Sequence, residues 1–323
     1  MNKTLFLWLL VSFLAASCSF KEEKLPETSS AAINTISVII DDQLWNGEVG
    51  DSIRNKFASP VLGLPQEEPL FSINQYPVKL FEGFSTDSRN ILIVKKEDEN
   101  SYEFRKNEFA NPQNAFHISG RTSFEIIELL EKNAPDIIKK MREIEIVHNQ
   151  EIFRDSLLNT KKIQKKFNID LLIPSKYEYM MRRRNFIWLK SEITSGNTSL
   201  IIYQIPWKSI SPNNAVHDII NVRDSIGRLY IHGSDSGTKM VTEAAYSPYF
   251  SKTVLAGNKC YETKGTWQME NDFMSGPFIN YAVFDKAHRR ILVLEGFCYA
   301  PSKEKRDLMF ELESIIKSLQ IKK

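Results

Sequence analysis

Apolar and polar positions along the chain alternate between two periods, and the changes of period mark its elements. Ile36, Val38, Ile39 and Ile40 form a short buried strand closed by Asp41 and Asp42. A helix is predicted from about Asp51 to Phe57, with Asp51 as its cap. Strands follow at Ile91 to Val94, Tyr102 to Arg105 and Ala115 to Ile118. Period 3.6 then takes over. Thr122 and Glu125 have the spacing of a capping box, in which a hydroxyl and a carboxylate satisfy two orphan amides. Ile126, Ile127, Leu129 and Leu130 form the apolar face of the helix they open, which is read as ending at Asn133. Pro135 suits the first turn of a second helix over 134–167, with Ile137, Met141, Ile144, His148 and Ile152 as its stripe and a break near Asn159.

Beyond the helices the two-residue period returns. Ile169 to Ile173, Phe186 to Lys190 and Ser199 to Ile205 read as strands. Ser211 to Gly237, rich in turn residues, reads as a long excursion with one short helix. Lys259 to Trp267, Phe278 to Asp285 and Arg290 to Cys298 read as an antiparallel meander, turning at Lys286 to Arg289. The last helix is read as opening at Pro301 and Ser302, its core stripe set by Leu308, Leu312, Ile315, Ile316 and Leu319. The fold class expected is α+β, with two antiparallel-sheet domains and flanking helices, joined by a long helical connector.

With 323 residues, the chain is long for one core and suggests two domains. The boundaries drawn are 34–133, the connecting helix 134–167, and 168–323. Forty-two basic against 40 acidic residues argue against a general nucleic-acid binder, and the run Arg182-Arg183-Arg184 is too short to reverse that.

The N-terminus changes the picture most. Lys3 precedes an apolar run from Leu5 to Ala16, too short to span a bilayer but right for the core of a signal peptide over 1–17. The run ends Leu14-Ala15-Ala16-Ser17-Cys18, which resembles a bacterial lipobox and makes Cys18 the lipidated residue; alanine stands where leucine is commoner. The polar stretch 18–33 reads as a flexible tether. Its charged cluster, Lys21 to Lys24, resembles the export signals of some Bacteroidota surface lipoproteins, so both periplasmic and surface-facing placement on the outer membrane stay open.

Four segments carry a family resemblance: Asp42-Gln43-Leu44-Trp45, Gly50 to Arg54, the loop Leu64-Pro65-Gln66-Glu67-Glu68-Pro69, and Arg89-Asn90-Ile91. Together they resemble a family of Bacteroidota lipoproteins known only as a domain of unknown function. The resemblance implies a periplasmic or surface lipoprotein and supplies no activity. The second half also resembles the PsbP/Mog1-type α/β sandwich, which implies binding more often than catalysis.

Candidate chemistry is sparse. Cys260 and Cys298 remain once Cys18 is lipidated; both lie on strands of one sheet, and a disulfide and two buried thiols are both compatible with that. The five histidines show no metal-ligand spacing, so neither metal nor cofactor is expected. Ser302 with Lys305 and Ser314 with Lys317 have S-x-x-K spacing, but the K-T-G partner motif is missing; Ser302 reads as a cap and Ser314 as a surface residue. A glycosidase uses two carboxylates, for which Asp41, Asp42, Glu67 and Glu68 are the candidates, the pair Glu67 and Glu68 before the others. Gln66, Glu67, Glu68 and Arg89 read instead as a binding loop or an ion-paired lock. The expected function is a lipid-anchored cell-envelope protein of unknown activity, a non-catalytic binding or assembly module with an envelope protein partner. The alternative is an envelope hydrolase acting on glycan or peptidoglycan.

Overall fold

The computed structural model describes residues 27–81, 87–233 and 235–322. The leader, Cys18 and most of the tether lie outside the described residues. The chain is α+β in two domains, as its pattern predicts.

In the first half, strands β1 (Thr35–Ile40), β2 (Ser72–Tyr76), β3 (Asn90–Lys96), β4 (Ser101–Lys106) and β5 (Asn114–Gly120) form one sheet in the order β2-β1-β3-β5-β4. The expected antiparallel sheet is corrected here. β1 runs parallel to β2 and to β3, and β3 parallel to β5; only β4 is antiparallel, to β5. The physical reason lies in the connections. Helix α1 (Glu48–Phe57) and the loop after it carry the chain back to the start of the sheet before β2, a crossover that parallel strands require. Ile36, Val38, Leu92, Val94 and Phe116 face α1 and the long helix α2 (Ser123–Arg154), so both helices do cover one face.

The capping box at Thr122 is present: its hydroxyl accepts from the Glu125 amide, and the Glu125 carboxylate accepts from the Thr122 amide. The helix it opens does not stop at Asn133. It continues through Pro135 to Arg154, 32 residues or roughly 48 Å at 1.5 Å per residue. Its buried stripe runs Leu130, Ala134, Ile137, Met141, Glu145, Asn149 and Phe153. The predicted stripe fell out of phase because two of these inward positions are polar; Ile152, assigned to it, is 49% exposed. A short helix α3 (Lys161–Phe167) follows the break.

The second half is built on one antiparallel sheet: β6 (Glu178–Arg183), β7 (Phe186–Ile193), β8 (Gly196–Pro206), β9 (Lys239–Thr242), β10 (Tyr249–Leu255), β11 (Asn258–Glu270), β12 (Ser275–Asp285) and β13 (Arg290–Tyr299). The order is β9-β11-β12-β13-β8-β7-β6, with β10 also paired to β11. Between β8 and β9 lies α4 (Ala215–Tyr230), at 16 residues longer than its turn-rich surroundings suggested. Because side chains alternate across a strand, Phe186, Ile201, Tyr203, Trp267 and Phe297 meet α4 on one face. Ile187, Leu200, Ile202, Tyr281 and Leu294 meet α3 and the last helix, α5 (Arg306–Lys317), on the other. Helix α2 packs along α5, so the connector is glued to the second half rather than standing free as a lever.

Candidate functional site

Where the halves meet, the loop 59–70 leaves the first sheet and reaches the second. Its neck is tied by the Val61 amide to the Glu68 carbonyl at 2.9 Å and the Leu70 amide to the Ser59 carbonyl at 2.8 Å. At its tip Gly63 has φ +85°, and a Cβ there would stand 2.9 Å from Lys264 Cβ on β11. Only glycine allows both the turn and that approach.

Glu68 does the docking. It is 7% exposed, and its carboxylate accepts from the Lys305 amide at 2.8 and 2.9 Å and the Arg306 amide at 2.7 Å. These are orphan donors at the N-terminus of α5, where a negative charge also complements the helix dipole. The helix was expected to start at Pro301 with Ser302 as cap. It starts at Arg306, Ser302 is exposed, and its cap is a carboxylate from the other half of the chain. Arg306 returns the contact, donating to the Pro69 carbonyl and the Ser72 hydroxyl, both at 3.1 Å. Gln66 stands beside the lock, its Oε1 3.5 Å from Lys305 Nζ, and Glu67 is exposed.

Arg89 belongs elsewhere, which corrects its grouping with the loop. It is 1% exposed and grips Glu145 of α2 through Nε and Nη2, each at 3.2 Å, while Asn90 and the Asn34 amide also donate to that carboxylate. Burial raises the Glu145 carboxyl above its ordinary value even against Arg89. Ser314, expected on the surface, is fully buried and accepts from Asn149 where α5 meets α2. Cys260 and Cys298 are unbonded and buried. Cys260 lies opposite Val283 on β12 and Cys298 opposite Thr198 on β8, with β12 between their strands, so a disulfide is out of reach. Burial raises both thiols, Cys298 to about 12.

Under the loop lies a cleft of about 680 Å³. Leu62, Leu64 and Leu70 of the loop form one wall; Phe278 and Ile279 of the sheet and Met309 and Phe310 of α5 form the other. Arg142, Lys264, Arg306, Glu67, Glu313 and Tyr249 bring polar groups to it. On the far side of the same loop a second hollow of about 460 Å³ is walled by Tyr246, Tyr249 and Thr266. The Thr266 hydroxyl is buried and unpartnered among the described residues.

The charges in the cleft are fixed. Burial alone would raise Glu313, but Arg142, Lys264 and Lys317 outweigh it and hold the carboxyl below the carboxylate range. Arg142 Nη2 is 2.6 Å from Glu313 Oε2, and its guanidinium lies 5.0 Å from the centre of the Phe310 ring. Tyr281 donates to Glu262 at 2.6 Å and to Glu313 at 3.3 Å; burial, reinforced by those carboxylates, pushes its phenol well up. The acid stays ionised and the phenol stays protonated. Arg142, Lys264 and Glu313 line the cleft and place charge where a ligand there would meet it. Asp41 and Asp42 do not line the cleft, and Glu68, one of the two carboxylates the hydrolase alternative needs, is occupied by backbone amides.

The sequence pointed to the loop through its proline brackets and acidic pair. It gave no sign of Arg142, Lys264, Glu313 or Arg306, which are spread over a helix, a strand and a second helix and look like ordinary surface charges.

Comparison with known proteins divides the chain where α2 ends. Residues 29–154 match a family described as Domain of unknown function (DUF8532), and residues 156–318 match Domain of unknown function (DUF4837). No curated protein matches. Among solved structures, LpqN, described as involved in cell envelope biogenesis of Mycobacterium tuberculosis, is 14% identical with a TM-score of 0.31, covering 48% of this chain and 83% of its own. A likeness of that degree carries no inference for this chain. The second of the two family matches spans just over half of the chain, and the protein belongs to the family described as Domain of unknown function (DUF4837).

Proposed function

We propose that the protein is a lipid-anchored cell-envelope binding or assembly module whose ligand occupies the cleft between its halves. The anchor is Cys18, in a Bacteroidota-type lipoprotein leader, and the attachment is to the outer membrane. The observation that carries the binding reading is the cleft itself. Its volume falls in the range of ligand sites, roughly 300–1,000 Å³, and its mix of apolar walls and a few converging charges is what such sites use. The Glu68 cap, the Arg306 contacts and the packing of α2 on α5 hold the walls in fixed relation, so little ordering accompanies binding. The PsbP/Mog1-like reading of the second half agrees with a binding role.

The test is crosslinking in cells from a photoreactive residue at Leu62, which is 55% exposed on the cleft wall, followed by purification and mass spectrometry. A second probe at Phe124, 68% exposed at the start of α2, serves as the remote position, and a Cys18→Ala form removes the anchor. A species captured from Leu62, absent from Phe124 and dependent on Cys18 supports the proposal. Equal capture from both positions removes the cleft from the account.

A further inference from the structure

A second feature lies away from the cleft. Helix α3 carries Lys161, Lys162, Lys165 and Lys166, and the end of β6 and the turn to β7 carry Arg182, Arg183 and Arg184. The fold brings the two segments together. Lys166 Nζ donates to the Arg183 carbonyl at 2.7 Å and the Arg184 carbonyl at 3.1 Å, and Lys162 Nζ sits 5.1 Å from the centre of the Tyr179 ring. Six of the seven cations are exposed; Lys166 is half-buried.

None of the seven forms an ion pair among the described residues. The acids close by in sequence are engaged with other cations or lie at the far end of the strand: Asp170 pairs with Lys322, Glu192 with Lys190, and Glu178 opens β6. In a chain with a formal net charge of +2, seven uncompensated cations on one edge form a concentrated field. Within the patch Met180 is 53% exposed beside Arg182 and Arg183, at the bulge where the β6 register shifts.

We infer that this patch is a docking surface for anionic phospholipid headgroups, which lays the second half against the membrane. The choice of a membrane rests on the lipid-anchor reading above, since an anchored domain meets a headgroup surface at all times. The chemistry of the patch agrees. Basic side chains around an exposed thioether suit an interface that is charged outside and apolar beneath. Single-stranded nucleic acid calls for free aromatic faces. The aromatic residue here, Tyr179, is covered by Lys162 and donates to the Asn159 carbonyl at 3.0 Å.

The experiment is vesicle co-sedimentation of the full chain carrying Cys18→Ala, so that no acyl chain contributes. Vesicles of phosphatidylcholine alone are compared with vesicles containing phosphatidylglycerol. The protein should bind only the anionic vesicles and release as salt rises. Lys161→Glu/Lys162→Glu/Lys165→Glu should weaken binding by about 100-fold, on the order expected when three basic side chains no longer face an anionic surface. Lys208→Glu/Lys239→Glu/Lys252→Glu makes the same change in net charge at exposed sites elsewhere and should leave binding unchanged. Three results overturn the inference: equal binding to both vesicle types, equal loss in the two triple variants, or tighter binding to a single-stranded oligonucleotide. Competition by millimolar inorganic phosphate also overturns it, by showing a free-phosphate site. Palmitate labelling of the wild-type protein in cells reads the anchor separately, so the two ideas can fail independently.

Discussion

Replacing Glu68 with alanine removes the carboxylate by which the first half caps the last helix of the second. Its two oxygens accept three backbone hydrogen bonds of 2.7 to 2.9 Å at a site that is almost fully buried. Loss of a helix cap costs about 0.5–2 kcal/mol. A hydrogen bond to a charged group contributes about 1.5–3 kcal/mol, and buried amides left without an acceptor add a desolvation cost. These contributions overlap, and a total of about 3 kcal/mol follows, roughly two powers of ten in the folding equilibrium. Urea denaturation followed by tryptophan fluorescence reads it. Glu67→Ala, one residue away and exposed, should stay within about 0.5 kcal/mol of wild type. Because the lock joins the halves, Glu68→Ala should also split unfolding into two transitions. Glu68→Gln keeps one acceptor without the charge and should fall between. The reasoning is refuted if Glu68→Ala is no less stable than Glu67→Ala, or if its transition weakens without any separation of the halves.

Further outcomes are expected at four other places in the molecule. Glu313 is held below its ordinary value of 4.5, so its contribution to stability is present above that pH and lost as pH falls through and below it; Glu313→Gln should flatten this acid limb in denaturation midpoints measured from pH 7 to pH 3. Arg89→Ala leaves the Glu145 carboxylate buried and should cost about 3–5 kcal/mol, with Arg89→Met/Glu145→Leu recovering most of it in the same assay. Because burial raises the Glu145 carboxyl, its protonated form fits the fold better, and the Arg89→Ala deficit should grow as pH rises above 4.5. Cys260 and Cys298 should resist a thiol reagent in the native Cys18→Ala protein and react fully in denaturant; rapid native labelling of either would contradict their burial. Gly63→Ala forces a side chain into positive φ against Lys264 and should cost about 1–3 kcal/mol by urea titration.

Local signals in the sequence were read well where local chemistry decides. The Thr122 capping box, the alternation that builds the meander from β11 to β13, and the stripe of α5 at Leu312, Ile315 and Ile316 needed nothing beyond neighbours in the chain. Where a distant partner decides, the reading failed. Pro135 looked like a helix start, yet it lies inside a continuous helix held on both sides by packing from Leu130, Ala134, Ile137 and Met141. Glu145 and Asn149 broke the apolar phase of α2 because their partners, Arg89, Asn90 and Ser314, lie 55 or more residues away. Strand direction in the first sheet went wrong for a similar reason, since the strand pattern shows burial and not polarity. Of the loop, Glu68 ties the halves through backbone amides of Lys305 and Arg306, where an ion pair was expected, and Arg89 lies elsewhere. The cleft under the loop was invisible, because its charged residues come from four separate segments.

The most direct measurement of the central claim is native mass spectrometry of the full-length protein purified gently from the cells that make it, compared with Leu62→Asp. Leu62 is exposed, so the substitution spares the core while placing a charge on an apolar wall of the cleft. The account predicts a bound species on the wild-type protein that leaves on unfolding and is missing from Leu62→Asp. An identical mass spectrum for both proteins, bare or carrying the same adduct, would contradict it.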